Sequence, residues 1–418
     1  MSSDCYNLSY SIPSHEPHWQ FNEQNLSLNA IPSLCLLWCF IHHLLRKMQH
    51  QRYHILSIRT ADVFLCALLI ATLGSFLQIG GTAWDVTSHL LQRPESFFTP
   101  SHALLYTGVG LIAITSALCG IILLLNKELR SKPIAKALKL FIIWSAIAVV
   151  AGPADFLWHQ QFGIDGLLSP THLTLATGLL INSIAVVIGL SKIESEVTSK
   201  KKKLLVRAAL IPAFASLWYT TIWCIHIFSL PLSHGQHFNF NLNPIAESMI
   251  AIIGIPLVSS IMFLIASKSI GGNNKFGFSS AVAIVLIGMN LFAGIVPSYK
   301  DSPLFLWYVL LSYSAVIFSD FILNTSTLVK KLPSKVLFSG AIIGSAFYLI
   351  DFPWFNLTLS HFLLPSHQLV TDLVANTIPY FLITLPTAAF IAIIPGAVIG
   401  SLSSFLLFYY QKNRSQSQ

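Results

Sequence analysis

The chain has 418 residues, of which 54% are hydrophobic and only 10% are charged. A soluble domain carries about a quarter charged residues, so this composition excludes a soluble enzyme, a nucleic-acid-binding protein and a disulfide-stabilised scaffold. The formal net charge of +8 comes from basic residues between apolar runs, where it indicates membrane topology. The sequence therefore predicts an all-α protein, a polytopic bundle of transmembrane helices.

Apolar runs that can cross a bilayer, which takes about 20 helical residues, follow one another along the chain. They lie at 30–46, 63–82, 103–125, 135–153, 172–191, 205–229, 246–267, 278–297, 304–324, 336–352 and 369–410. The last run is long enough for two helices, but Pro379, Pro386 and Pro395 interrupt it. We expect about 11 spans, within a range of roughly 10 to 12.

Basic residues alternate between the segments that join these runs. Every second segment holds a cluster of Lys and Arg, such as Lys200, Lys201, Lys202 and Lys203, whereas the intervening segments hold Arg93 and Lys300. The positive-inside rule places the clusters in the cytoplasm. The predicted organisation is an extracytoplasmic N-terminal segment, a helical region with an internal repeat, further helices of unknown role and a cytoplasmic tail, at 1–29, 30–192, 193–410 and 411–418.

The repeat is a pattern of one aspartate and two histidines that recurs at an offset of 70 residues. An Asp is followed four residues later by a His, and a second His ends the tetrapeptide Thr99-Pro100-Ser101-His102 or Ser169-Pro170-Thr171-His172. At the Asp and His frequencies of this chain, only about 0.01 matches are expected by chance. Duplication explains the likeness, but the choice of residues calls for a chemical reason.

Each copy places its three side chains on two adjacent helix ends. Asp and His at positions i and i+4 share one helix face. Thr99 and Ser169 are N-cap residues in front of a proline, which is favoured at the first helical position. His102 and His172 are then the third helical residues, where the helix dipole disfavours the imidazolium form. A neutral imidazole is the form that binds a metal.

Two histidines with one carboxylate suit zinc, copper or non-haem iron. The predicted metal ligands are Asp85, His89, His102, Asp155, His159 and His172. Side chains that would orient these ligands are Arg93, Glu95 and Asp165. Weaker metal candidates are His226, His234, His237, Asp351, His361 and His367. The alternative interpretation is that each Asp–His group is a hydrogen-bonded brace between helix ends.

The first copy of the pattern carries a resemblance to a known family. Asp85-Val86-Thr87-Ser88-His89, followed by Phe98-Thr99-Pro100-Ser101-His102, resembles the C subunit of the particulate methane and ammonia monooxygenases. In that subunit an Asp-x3-His motif and a Phe-Thr-Pro-Ser-His motif supply three copper ligands. The resemblance covers about residues 60–190 and is weaker in the second copy, where Asp155 stands in place of the family's Asn.

The resemblance implies a copper-containing integral membrane monooxygenase that works with two other subunits and uses O2 to oxidise a small substrate. It implies copper as the cofactor, with zinc and iron still open, and the lipid bilayer and other membrane subunits as partners, without nucleic acid. No residue is identified as catalytic. Two further hypotheses remain: a multi-pass transporter or metal-handling permease, and a non-catalytic assembly subunit.

Overall fold

The computed structural model describes nine stretches of the chain and three single residues. These are residues 60–90, 96, 98–131, 133–162, 168–228, 244–267, 276–298, 302–325, 329, 331–351, 393–410 and 413. Within them the chain forms helices joined by short turns, without a β-strand. The all-α prediction is confirmed.

Ten α-helices lie in the described part of the chain. They are α1 (Thr60–Leu90), α2 (Pro100–Leu125), α3 (Pro133–Phe162), α4 (Pro170–Glu196), α5 (Lys200–Ile227), α6 (Pro244–Ile265), α7 (Phe278–Ser298), α8 (Ser302–Asn324), α9 (Leu332–Ala346) and α10 (Ile393–Tyr410). A 3₁₀-helix, Lys127–Ser131, follows α2, and a π-helical turn, Phe347–Asp351, continues α9.

The helices have the length and the surface of membrane-spanning segments. Eight of those described are long and apolar enough to cross a bilayer: α1 to α5, α7, α9 with its π-helical turn, and α10. Large apolar side chains cover their outer faces; Leu124, Val150 and Leu157 are 71%, 69% and 62% exposed. Helices that are apolar all round are buried in protein or in lipid. The chain is a multi-pass integral membrane protein.

Nine predicted runs, from 63–82 to 336–352, coincide with α1 to α9 and the π-helical turn. The end of the run 369–410 forms α10. The predicted span 30–46 and most of 352–392 lie outside the described residues, so the number of spans stays a prediction.

Helix α5 lies at the centre of the described bundle. Its residues from Ala213 to Thr220 are all buried, with Trp218 fully enclosed. It packs against α4, α6 and α7, and α4 packs in turn against α3. Helix α1 joins α4 through a contact of 3.2 Å between the hydroxyls of Ser75 and Ser183. The first four helices and α5 therefore form one packed group, which carries both copies of the repeat.

Glycines allow two helix pairs to approach closely. A Cβ on Gly108 of α2 would collide with the backbone of Gln78 in α1. The same kind of contact joins α9 to α10 through two Gly-x3-Gly pairs, at Gly340, Gly344, Gly396 and Gly400. Small residues at i and i+4 are the usual means of close helix packing in membranes.

One end of the bundle is fixed by ion pairs. Lys202 Nζ lies 2.5 Å from Asp62 Oδ1, and Arg207 Nε lies 2.6 Å from Glu194 Oε1. Along α1, the 23 residues from Asp62 to Asp85 span about 35 Å at the helical rise per residue. This distance is close to the thickness of a bilayer core, about 30 Å. The first copy of the repeat thus lies near the opposite membrane surface from these ion pairs.

The glycine contact between α1 and α2 predicts the effect of one methyl group. Gly108→Ala places a Cβ against backbone atoms that have no freedom to move aside, so it should lower the free energy of unfolding by about 1–3 kcal/mol. Gly110→Ala, on the same helix, meets no atom within 4 Å and should change stability little. Unfolding of the purified variants by increasing SDS in mixed micelles measures the free energy of unfolding of each. Equal stability of the two variants would contradict the close contact.

Candidate metal centre

The second copy of the repeat converges on one point between two helices. Asp155 and His159 lie in the last turns of α3, and His172 is the third residue of α4. The two histidine Nε2 atoms are 3.2 Å apart. Asp155 Oδ2 lies 3.6 Å from the Nε2 of His159 and 3.4 Å from that of His172. All three side chains thus present a potential ligand atom to the same small space.

These separations fit a transition metal. Three atoms 3.2, 3.4 and 3.6 Å apart are all about 2.0 Å from one common point, a distance equal to a zinc–nitrogen bond in proteins. The three side chains are between 16% and 22% exposed. A site with three protein ligands and an accessible remaining position is the arrangement of catalytic rather than structural metal centres. The residues present therefore fit a bound metal.

The Asp155 carboxylate gives independent support for a cation at this point. Its second oxygen, Oδ1, is buried and has no hydrogen bond within 3.5 Å in the described part of the chain, although the Thr171 side chain also interacts with this carboxylate. Buried polar atoms are nearly always paired in folded proteins, and leaving one unpaired is costly. A metal ion held beside the carboxylate would compensate this cost.

The local sequence explains why His172 points back toward α3. Ser169 is the N-cap of α4, and its Oγ accepts a hydrogen bond of 3.3 Å from the backbone N–H of His172. The same Oγ lies 2.9 Å from His172 Nδ1. When Nδ1–H donates to this oxygen, Nε2 keeps its lone pair, which faces Asp155 and His159. Such a hydrogen bond on the far nitrogen is the usual way to orient a metal-binding histidine.

The first copy of the repeat forms a similar contact between α1 and α2. Asp85 Oδ1 lies 3.0 Å from His102 Nε2 and accepts a hydrogen bond of 2.8 Å from Ser101 Oγ. His102 Nδ1 lies 2.9 Å from the carbonyl oxygen of Ser96. The backbone position of His89 is in the last turn of α1, but its side chain is outside the described residues.

A proton or a metal ion must lie between Asp85 and His102. A carbonyl oxygen only accepts, so His102 Nδ1 carries a hydrogen and donates it to Ser96. If the ring is neutral, its Nε2 lone pair faces the carboxylate oxygen at 3.0 Å. Two acceptors at this distance repel each other unless a proton or a metal ion lies between them. The first copy thus contains either an imidazolium–carboxylate pair or a second cation site.

The two copies are neighbours within the bundle. Val86, which follows Asp85, and His172 both line an apolar cavity of about 70 Å³ between α1, α4 and α5. Trp223 and Ile227 of α5 close this cavity on another side. One ligand of the second copy therefore borders a small apolar space that reaches toward the first copy.

Some of the weaker candidates lie elsewhere in the fold. His226, near the end of α5, is 6% exposed and packs edge-on against Trp223. Asp351, the last residue of the π-helical turn, is 5% exposed. Both line one cavity, which Thr87 of the first copy also borders.

The other predicted residues lie outside the described residues. They are Arg93, Glu95, Asp165, His234, His237, His361 and His367.

Two contacts of the histidine rings were not predicted from the sequence: that of His172 with Ser169 Oγ and that of His102 with the Ser96 carbonyl oxygen. Ser169 was predicted as a helix cap but also contacts the His172 ring, and Ser96 offers its carbonyl oxygen to His102. The contact of Ser169 could have been predicted, because the hydroxyl of an N-cap residue lies beside the third residue of its helix. For Ser96, a backbone carbonyl in a turn leaves no mark in the sequence.

Comparison of the chain with protein-family models, with curated proteins and with solved structures found no match.

The two N-caps predict different responses to the same substitution. Ser169→Ala removes both the cap hydrogen bond and the contact with His172, so it should lower the free energy of unfolding by about 1 kcal/mol. Thr99→Ala is the matched control, because Thr99 makes no capping hydrogen bond with its side chain. SDS-induced unfolding compares the variants. A larger loss in Thr99→Ala than in Ser169→Ala would contradict the assigned roles.

Proposed function

We propose that this chain is a membrane metalloprotein that binds copper through Asp155, His159 and His172, as part of an oxygenase-like complex of the copper membrane monooxygenase type. The observation that carries the proposal is the triangle of two imidazole nitrogens and one carboxylate oxygen around a common point about 2.0 Å from each. The Asp85–His102 pair, with His89, is proposed as a second copper site.

The choice of copper rests on two arguments. Imidazole and carboxylate ligands suit copper, zinc and iron alike, but divalent copper binds such sites most tightly among the first-row metals. The sequence resemblance of the first copy, from Asp85 to His102, also favours copper. The same geometry would accept zinc, so the metal itself is a point for experiment.

Each residue of the proposed centre has a separate task. Asp155 supplies negative charge, His159 supplies a nitrogen from the end of α3, and His172 supplies a nitrogen whose direction Ser169 fixes. Copper, when bound, supplies one-electron and O2 chemistry. The apolar cavity beside His172 keeps water away from this side of the centre and offers a space suited to a small apolar molecule.

The proposed location is the extracytoplasmic side of the membrane. The basic residues of Lys200, Lys202 and Arg207 lie at the end of the bundle where α5 begins, and the repeat copies lie at the other end. By the positive-inside rule, the repeat then faces outward, with the N-terminus outside and the C-terminus in the cytoplasm. Partner subunits of the complex would meet this chain within the bilayer.

Metal analysis of the detergent-purified protein tests the proposal. After copper loading and desalting, mass spectrometry should find about one copper ion per chain for each intact site. His159→Ala and His172→Ala should each remove one ion, because each deletes one of three ligands. Gln160→Ala, an exposed neighbour on α3, is the matched control and should keep all of the copper.

Three outcomes separate the alternatives. Copper lost in both histidine variants, with helix content unchanged by circular dichroism, supports the centre. If the wild type binds zinc or iron and the same variants lose it, the metal centre is supported and the assignment of copper is wrong. If the wild type retains no metal after loading, the metal centre is contradicted. The triad is then a hydrogen-bonded brace between helix ends. The same comparison with His102→Ala tests the site in the first copy.

Cysteine labelling in intact cells tests the proposed orientation. In a background without the six native cysteines, Ser96→Cys and Ser199→Cys place thiols at exposed positions on opposite ends of the bundle. A membrane-impermeant maleimide should label Ser96→Cys directly and Ser199→Cys only after permeabilisation. The reverse pattern would place the repeat in the cytoplasm.

A further inference from the structure

A second cavity lies apart from the triad of the second repeat copy, and several polar side chains border it, including Thr87 of the first copy. It encloses about 40 Å³ and is bordered by α1, α5, α7, α8 and the π-helical turn after α9. Its polar lining residues are Thr87, Tyr219, His226, Asn290, Tyr313 and Asp351. A space of this volume holds an ion or a few water molecules and is too small for an organic substrate. The ligand of this cavity must therefore be small and polar.

Asp351 is the residue that indicates what the cavity holds. It is 5% exposed and is the last residue of a π-helical turn, a distortion that is frequent at functional sites. Among the described residues, its carboxylate has no hydrogen-bond donor and no ion-pair partner. No Lys or Arg is among the described residues that line the cavity. A carboxylate in such a place is costly unless a cation accompanies it.

Another buried aspartate in the same bundle shows the contrast. Asp320 of α8 is fully buried, but its Oδ2 accepts hydrogen bonds from the backbone N–H groups of Gly277 and Ser280 and from the Ser280 hydroxyl. Its Oδ1 accepts a hydrogen bond from Asn324 Nδ2. The fold therefore supplies donors for a buried carboxylate where the role is structural. It supplies none in the described part around Asp351.

Asn290 and Thr87 add neutral oxygen atoms to the lining of the cavity. Asn290 Nδ2 donates to the carbonyl of Leu286 at 2.8 Å and approaches the Tyr313 hydroxyl at 3.4 Å, which uses the amide hydrogens and leaves Oδ1 as an acceptor. Thr87 Oγ1 donates its hydrogen to the Ala83 carbonyl at 2.8 Å and keeps its lone pairs. One carboxylate with neutral oxygens is the ligand type of hard cations.

We infer that this cavity binds a small monovalent cation of the sodium type, through the Asp351 carboxylate, the Asn290 amide oxygen and the Thr87 hydroxyl. A single positive charge balances the single carboxylate of the lining. A divalent ion would leave an uncompensated charge in a low-dielectric interior, which is unfavourable. Cation sites in membrane proteins commonly use irregular helix segments of the kind that carries Asp351.

Thermal unfolding of the full-length protein in detergent tests this site. The melting temperature is measured in sodium, lithium, potassium and choline chloride at equal ionic strength and pH 8. A bound ion stabilises the folded state in proportion to the logarithm of its concentration above the dissociation constant. We expect sodium to raise the melting temperature in a saturable way over choline. Asp351→Asn should abolish this increment, and sodium-23 NMR should lose the line broadening that binding produces.

Two variants serve as controls. Asp320→Asn removes a buried carboxylate of structural role, so it should lower the melting temperature but keep the sodium increment. His159→Ala disrupts the proposed copper centre and should also keep it, so the two proposals fail independently. If Asp351→Asn does not fold, Thr87→Val keeps the side-chain shape and should weaken sodium binding about fivefold or more.

Four results would overturn the inference. Equal melting temperatures in sodium and choline chloride, without sodium-23 broadening, would show that no ion binds. An equal rise in all salts would indicate general screening. A wild-type sodium response in Asp351→Asn would assign the ion to another place. If the melting temperature depends on pH in a way that requires Asp351, but does not depend on any cation, the cavity binds a proton instead.

Discussion

A histidine in the first turn of one helix, turned back toward a carboxylate at the end of the preceding helix, is the contact on which this end of the bundle depends. It occurs between α1 and α2 and again between α3 and α4. Proline after a hydroxyl N-cap starts the second helix at a fixed residue, so the imidazole reaches the facing helix end. The spacing within each tetrapeptide thus determines where the imidazole stands on the second helix, beside the carboxylate of the first.

Buried carboxylates in this protein differ in what surrounds them, and this difference separates structural from binding roles. Asp320 accepts four hydrogen bonds and fastens α7 to α8. Asp155 has one oxygen near two imidazoles and one without a partner, and Asp351 faces a cavity. Because a bilayer offers no water to complete a missing hydrogen bond, an incomplete shell inside it indicates a ligand. The same reasoning applies to any buried charge in a membrane helix.

The sequence could predict the helices and which helix ends meet, because both depend on local patterns. Apolar runs located α1 to α9, and the recurring Asp, His and Pro residues predicted that Asp155, His159 and His172 would converge. The roles of these residues as ligands remain predictions. The second cavity could not be foreseen, because Thr87, Asn290 and Asp351 are about 60 to 260 residues apart in the chain, and only packing brings them together. Their separate polar side chains give no periodic signal.

Helix α1 is longer than a bilayer requires, and this excess connects the repeat to the lipid. Its 31 residues extend for about 46 Å, whereas the hydrocarbon core is about 30 Å thick. The apolar run 63–82 alone spans about 30 Å and matches this core, so the polar last turns of α1 extend beyond it. Asp85 lies five residues before the end of α1. Its carboxylate and the neighbouring His102 therefore lie at the boundary between lipid and water, where small polar molecules can reach them.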